Sequence, residues 1–130
     1  MRYLLDTNSL NNNLIQRATQ RLDIFVLKEV EDERTMFGST SSNLRGMNIL
    51  HPEAKHVRRL QQLLVNEGDN FNLIRLYTGE GTADVMMIAY ILEEIENPET
   101  LFPDEYTIIT RDNGLIEAAN RYRITCQESL

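Results

Sequence analysis

The chain has 130 residues, of which 42% are hydrophobic, so it can bury one core and is predicted to form a single domain over residues 1–130. Lys and Arg number 13 against 20 for Asp and Glu, and the net charge of −7 argues against a generic nucleic-acid-binding protein, although the remaining cations could still form a stripe. No apolar stretch approaches the roughly 20 residues that cross a bilayer, and the single cysteine, Cys126, excludes an intramolecular disulfide. We therefore expect a cytoplasmic protein without membrane association, in which Cys126 is a small buried residue.

Strand and helix patterns alternate in the first part of the chain. Residues 2–5 are predicted to form a short buried strand, followed by a helix over about 10–21. A second strand at 23–26 leads into a helix over 27–36. The polar stretch at about 38–51 has turn composition and no periodicity, so we predict a mobile loop there.

The next helix is predicted to begin at Pro52 and to end near residue 66, because proline is favoured in the first helical turn. One apolar face of this helix is predicted to contain Val57, Leu60, Leu63 and Leu64. The polar residues are predicted to lie mostly off that face; they are Lys55, His56, Arg58 and Arg59.

The same alternation continues to the end of the chain. We predict strands at residues 72–77, 106–110 and 123–126, with helices over about 81–96 and 113–121. Continuous apolar strands separated by helices indicate an α/β fold whose parallel sheet is covered by helices on both faces.

Four acidic residues follow predicted strands or begin predicted helices: Asp6, Glu33, Asp84 and Asp112. In parallel α/β folds, ligands bind beyond the carboxyl ends of the strands, where helix N-termini also lie. Carboxylates that converge there would form an oxygen-only site, which suits Mg²⁺ or Mn²⁺. We therefore predict a divalent-metal site made by these acids.

Each of these acids also has an ordinary structural explanation. Asp6 and Asp112 could cap helices, because Asp is favoured next to a helix start. Glu33 could be a solvated helix residue. Glu29 and Glu31 lie close to Glu33 and compete with it as the second acid, and this choice stays open.

The segments around the acids resemble those of the PIN-domain nucleases in order and spacing. They are Tyr3-Leu4-Leu5-Asp6-Thr7-Asn8, Val30-Glu31-Asp32-Glu33, Gly79-Glu80-Gly81-Thr82-Ala83-Asp84 and Ile109-Thr110-Arg111-Asp112-Asn113-Gly114-Leu115. The first and last are the most specific. Many family members have Glu-Ala where this chain has Thr82-Ala83, so Glu80 is assigned a share of that role.

This resemblance implies a PIN-like three-layer α/β/α fold with a central parallel sheet of about five strands in the order 3-2-1-4-5. It also implies a metal-dependent endoribonuclease with an RNA substrate. Short bacterial members are frequently the toxin of a toxin-antitoxin pair, so the resemblance further implies an antitoxin protein as partner and a homodimer. Asp6, Glu33, Asp84 and Asp112 match the family's acidic positions, with Asn8 and Thr110 at its supporting polar positions.

The chemistry of phosphodiester hydrolysis assigns roles to these residues. Asp6, Asp84 and Asp112 would hold the metal, and Glu33 would bind it or orient a water as a base. Asn8 and Thr110 would fix the orientation of the carboxylates. The predicted phosphate contacts are the cations Arg111, Lys55, Arg58 and Arg59, although the last three could instead solvate their helix.

Two other functional classes are open. A phosphoryl-transfer enzyme with an aspartyl nucleophile is disfavoured, because Asp6-Thr7-Asn8 lacks a second Asp and no lysine follows Leu60. A non-catalytic PIN-like interaction module is the stronger rival, because the acidic net charge disfavours RNA binding.

Overall fold

The computed structural model describes residues 1–6, 12–36, 46–66 and 82–130. Within these ranges the chain forms five strands: β1 (Arg2–Leu5), β2 (Ile24–Leu27), β3 (Asn48–Leu50), β4 (Tyr106–Ile109) and β5 (Thr125–Gln127). All neighbouring strands pair in parallel, in the order β3-β2-β1-β4-β5. The predicted α/β class and the predicted strand order are therefore confirmed.

The described helices connect these strands. They are α1 (Asn12–Ala18), α2 (Lys28–Met36), α3 (Ala54–Asn66), α4 (Thr82–Glu96) and α5 (Asn113–Arg121). None of them combines the length and the apolar character that a membrane span needs. Each of these helices lies within a range where the sequence pattern predicted a helix.

Strand β3 corrects the sequence prediction at one edge of the sheet. Asn48–Leu50 pairs with Phe25–Leu27, although these residues fall within the stretch predicted to be a loop. The Asn48 side chain donates to the carbonyls of Arg21 and Ile24, at 3.3 and 3.1 Å, and so fixes the start of the strand. The strand predicted at residues 72–77 lies outside the described residues.

The central strand β1 fixes the position of Asp6. Leu4 and Leu5 of β1 are fully buried, and β1 pairs with β2 on one side and β4 on the other. Leu5 pairs with Ile109, and the backbone N–H of Asp6 donates to the Ile109 carbonyl at 3.1 Å. Asp6 and the residue after Ile109 therefore lie side by side at the carboxyl edge of the sheet.

Helix α4 is the core of the domain. Every residue from 83 to 92 is buried, so that apolar side chains meet neighbours on all sides of the helix. The helix precedes β4 and makes its most extensive helix contact with α3. Because a crossover helix runs antiparallel to the strands it connects, α4 begins at the carboxyl edge and ends at the amino edge.

Helix α3 buries Leu60 and Leu63 of the predicted face, but its first turn differs from the prediction. His56, predicted off the apolar face, is 1% exposed, whereas Val57, predicted on it, is 41% exposed. His56, Leu60 and Leu63 follow one another at helical spacing and are all buried. At the start of the helix, the buried position is therefore that of His56 and not that of Val57.

Cys126 lies in β5 and is half-buried, where full burial was expected. Burial raises the pKa of its thiol above the usual range, so it is predominantly protonated at neutral pH. This agrees with a packing role and gives no indication of a nucleophile.

Candidate functional site

A buried hydrogen bond joins the first and last predicted site segments. The Thr110 hydroxyl donates to Oδ2 of Asp6 at 2.7 Å, across 104 positions in sequence. Asp6 is 2% exposed and Thr110 is fully buried. Thr110 thereby fixes the orientation of the Asp6 carboxylate, which is the supporting contact that the sequence predicted for it.

The same hydroxyl also positions Asp112. Its oxygen accepts the backbone N–H of Asp112 at 3.0 Å, so Thr110 links Asp6 to the start of α5. The Asp112 carboxylate caps this helix: Oδ1 accepts the N–H groups of Gly114 at 2.8 Å and Leu115 at 3.2 Å. The helix-cap alternative for Asp112 is therefore correct. The two capping hydrogen bonds both use Oδ1 of Asp112. Metal binding by this residue stays a prediction.

Asp84 is the other buried acid at this edge. It lies in the first turn of α4 and is 4% exposed. The partial positive charge of a helix N-terminus stabilises a carboxylate in that turn. Among the acidic side chains in the described ranges, Asp6 and Asp84 are the two that are buried.

The described residues alone do not form a complete metal site. In residues 1–6, 12–36, 46–66 and 82–130, no group of three or more His, Cys, Asp or Glu could hold a metal ion. The Glu33 side chain lies outside the described part, as do Asn8 and Glu80. Mg²⁺ is often bound through one or two carboxylates together with waters and substrate phosphates. Two buried carboxylates are therefore a compatible partial ligand set.

Glu29, the competitor of Glu33, has an unusual environment at the start of α2. Its Oε2 atom is buried and has no hydrogen-bond partner among the described residues. Burial is the main cause that raises the pKa of this carboxyl, and Asp32 adds to the rise, whereas His51 and Lys28 lower it. An acid in this state destabilises the fold when it is ionised.

The predicted phosphate contacts on α3 lie far from the buried acids. Lys55 pairs with Glu99 at 2.7 Å, and Arg59 pairs with Glu93 at 3.6 Å and with Glu96. These partners lie at or beyond the last turn of α4, about 13 Å or more from Asp84 at 1.5 Å per residue. The ion pairs and the distance both argue against Lys55 and Arg59 as contacts for a phosphate at Asp84.

The other two predicted cations have different surroundings. Arg58 is exposed on α3, and its Nε donates to the Ala54 carbonyl at 3.4 Å. Arg111 is exposed and lies between Thr110 and Asp112 in the chain. Of the predicted phosphate contacts, Arg111 is therefore the one at the carboxyl edge.

Sequence reasoning missed a buried histidine cluster between α3 and α4. The Glu53 backbone N–H donates to Nδ1 of His56 at 2.8 Å, so the ring proton is assigned to Nε2, which donates to Glu94 at 3.0 Å. The ring also stacks on Tyr90, with centroids 4.1 Å apart. The spacing of His56 to Leu60 and Leu63 was the signal that could have located it. Because both ring nitrogens are engaged, the cluster holds α3 against α4.

Comparison of the chain with protein-family models, curated proteins and solved structures gave no match. The resemblance to PIN-domain nucleases therefore depends on the sequence segments around the acids. The strand order agrees with what that resemblance implies.

The Thr110 link predicts energetic coupling between the two ends of the chain. Thr110→Val leaves the Asp6 carboxylate and the Asp112 N–H without their partner, so it should lower the free energy of unfolding by about 1–3 kcal/mol. When Thr110→Val is combined with Asp6→Asn, the loss in the free energy of unfolding should differ by at least about 0.5 kcal/mol from the sum of the two single losses. Urea denaturation of the four proteins measures these losses. Thr107→Val, at a buried threonine within β4, serves as the control. Additive effects of Thr110→Val and Asp6→Asn would contradict the link.

The buried oxygen of Glu29 predicts a pH-dependent stability. Because the folded-state pKa is raised above the ordinary value of 4.5, the ionised group opposes folding above the raised pKa, and this effect vanishes below the ordinary one. Glu29→Gln should therefore raise the melting temperature at about pH 7, and the difference should close near pH 4. Glu117→Gln on the exposed surface of α5 is the control. A lower melting temperature of Glu29→Gln at neutral pH would show that a cation compensates this carboxylate.

Proposed function

We propose that this chain is a divalent-metal-dependent endoribonuclease with a PIN-like three-layer α/β/α fold. The observation that carries the proposal is the pair of buried carboxylates, Asp6 and Asp84, at the carboxyl edge of a parallel sheet. Buried carboxylates are costly to keep ionised unless positive charge compensates them. A divalent cation is the ligand whose chemistry suits such a pair.

The residues at this edge have complementary roles in the proposal. Asp6 and Asp84 hold the ion, and Thr110 keeps the Asp6 carboxylate in one orientation. Asp112 begins α5 beside them and contributes negative charge at the same edge, while Arg111 contacts a substrate phosphate. Glu33 completes the ligand set or orients the attacking water, and Asn8 and Glu80 support the acids.

Hydrolysis of an RNA phosphodiester needs an activated water and neutralisation of charge on the phosphoryl oxygens. A bound Mg²⁺ or Mn²⁺ would supply both. The buried carboxylates of Asp6 and Asp84 would hold the ion, and their burial restricts the orientation of their oxygens. The partner would be an antitoxin protein if the chain is the toxin of a toxin-antitoxin pair, and the active form would be a homodimer if it follows the family.

A non-catalytic interaction module with the same fold is the second candidate. The observation that favours it is the engagement of cations by acids: Arg2, Lys55 and Arg59 each pair with an acidic side chain. With a net charge of −7, such pairing leaves little positive charge for an RNA backbone. The two candidates differ in whether the purified chain cleaves RNA when metal is present.

Asparagine substitutions test the catalytic proposal. Asp6→Asn, Asp84→Asn and Asp112→Asn should each lower kcat/KM on single-stranded RNA by about a hundredfold or more, because each removes a charge at the site and keeps the side-chain size. Asparagine also retains a helix cap at position 112. Cleavage should require Mg²⁺ or Mn²⁺ and stop with EDTA.

Asp23→Asn is the matched control, because Asp23 precedes β2 at the opposite edge and pairs with Arg21 on the surface. It should retain wild-type cleavage. Equal cleavage by all variants would indicate a contaminating nuclease and remove the support for the catalytic proposal. Binding of RNA by the wild type without cleavage would favour the interaction module.

Thermal unfolding tests the metal site without a substrate. An ion that binds only the folded chain stabilises it by about 2.7 kcal/mol at a hundredfold excess over its dissociation constant, which raises the melting temperature by roughly 10 °C. Millimolar Mg²⁺ or Mn²⁺ should produce this rise, and NaCl at equal ionic strength should not. Asp6→Asn should melt at or above wild type without metal and lose most of the response, whereas Asp23→Asn should keep it.

An Asp6→Asn variant that melts well below wild type, together with a wild type that ignores both ions, would contradict the metal site. In that case Asp6 would serve the fold alone, through its bond to Thr110.

A further inference from the structure

The loop between α4 and β4 carries two large apolar side chains in solvent. Leu101 is 93% exposed and Phe102 is 91% exposed, and they are adjacent in the chain. Single exposed apolar residues are common on protein surfaces, but an adjacent Leu-Phe pair concentrates apolar area at one point. Pro103 follows directly and limits the backbone freedom of the pair.

A cleft lined by both apolar and polar residues lies beside Pro103, the residue that follows this pair. It has a volume of about 510 Å³, and its lining includes Met1, Ile95, Pro103 and Ile124. Ile95 is 49% exposed and Met1 is 51% exposed, so the apolar area extends from the loop onto the end of α4 and the start of the chain. We name this surface, formed by Met1, Ile95, Leu101 and Phe102, the apolar edge patch.

The apolar edge patch is surrounded by negative charge. The segment from residue 93 to residue 105 contains no Lys, Arg or His, and its acids are Glu93, Glu94, Glu96, Glu99, Asp104 and Glu105. Cations from other elements reach some of these acids, namely Arg2 at Asp104, Lys55 at Glu99 and Arg59 at Glu93 and Glu96.

More acids than cations remain at this surface. No salt bridge involves Glu105 among the described residues, and Glu94 bonds to the His56 ring. Arg123 is the basic side chain that lines the cleft, and Met1 carries the amino terminus there. The six acids of residues 93–105 therefore still outnumber the positive groups named here.

We propose that the apolar edge patch docks a segment of a partner protein that presents apolar side chains flanked by Lys or Arg. The apolar side chains would cover Leu101, Phe102 and the cleft, and the flanking cations would meet the acids around them. A second copy of this chain fits poorly, because it would bring two acidic surfaces together in a chain of net charge −7.

The patch lies away from the buried acids. Arg2 begins β1, Tyr106 begins β4 and the Arg2 N–H donates to the Glu105 carbonyl, so the loop lies at the amino edge of the sheet. Asp6 and Thr110 lie at the carboxyl edge, beyond the other ends of the same strands. Docking at the patch is therefore independent of the proposed nuclease activity and leaves the carboxyl edge open.

The probe for this proposal is a short synthetic amphipathic peptide of leucine and lysine. Two matched peptides replace lysine by glutamate or leucine by serine. Affinity is measured by calorimetry, and the binding surface is mapped from backbone amide shifts in nuclear magnetic resonance spectra. The leucine-lysine peptide should bind the wild type, weaken at higher salt and shift amides of residues 95–105. The two matched peptides should bind at least about tenfold more weakly.

Serine substitutions locate the contact on the chain. Leu101→Ser combined with Phe102→Ser should weaken binding of the leucine-lysine peptide by about tenfold or more. The fold should persist, because both side chains are more than nine-tenths exposed. Leu22→Ser is the matched control, since Leu22 is a 90% exposed leucine beyond α1, and it should leave the affinity unchanged.

Three results would overturn the proposal. Equal affinity for the double variant and the wild type would show that the peptide binds through charge alone. Amide shifts confined to residues outside 93–106 and away from Met1 and Arg2 would place binding elsewhere. A wild-type dimer in sedimentation that Leu101→Ser with Phe102→Ser dissociates would assign the patch to a second copy.

Discussion

The hydrogen bond from the Thr110 hydroxyl to the Asp6 carboxylate is the constraint on which the candidate site depends. It is buried, it spans 104 positions in sequence, and it exists because β1 and β4 pair in parallel at the centre of the sheet. The same hydroxyl accepts the N–H of Asp112, so one side chain positions two of the predicted acids. A buried polar network of this kind is stable only when each member keeps its partner.

Helix α4 separates two chemically different ends of the domain. Its first turn places Asp84 in the core at the carboxyl edge, and its last turns present acids to the cations of α3 at the amino edge. Carboxyl groups are therefore buried at one end and solvated or paired at the other. Under the two proposals, the buried end would bind a divalent cation, and the exposed end would bind a basic protein segment.

The sequence predicts the sheet well because its strands are short apolar runs with clear helical patterns between them. It fails at β3, where three residues carry no periodicity and pairing depends on the Asn48 side chain and on β2. It also fails at His56, whose polarity suggested the surface although its spacing to Leu60 and Leu63 indicated the core. The dual use of Thr110 and the buried oxygen of Glu29 depend on three-dimensional packing, which no local pattern encodes.

The proposed function requires a divalent cation at the carboxyl edge beside Asp6 and Asp84. Paramagnetic Mn²⁺ broadens nuclear magnetic resonance signals near the site it occupies, so a titration locates the ion directly. The amide signals of Asp6, Asp84 and Asp112 should broaden first, and Asp6→Asn should remove this effect while Asp23→Asn should not. Broadening that begins at the acids between residues 93 and 105 and persists in Asp6→Asn would show that the ion does not bind beside Asp6 and Asp84.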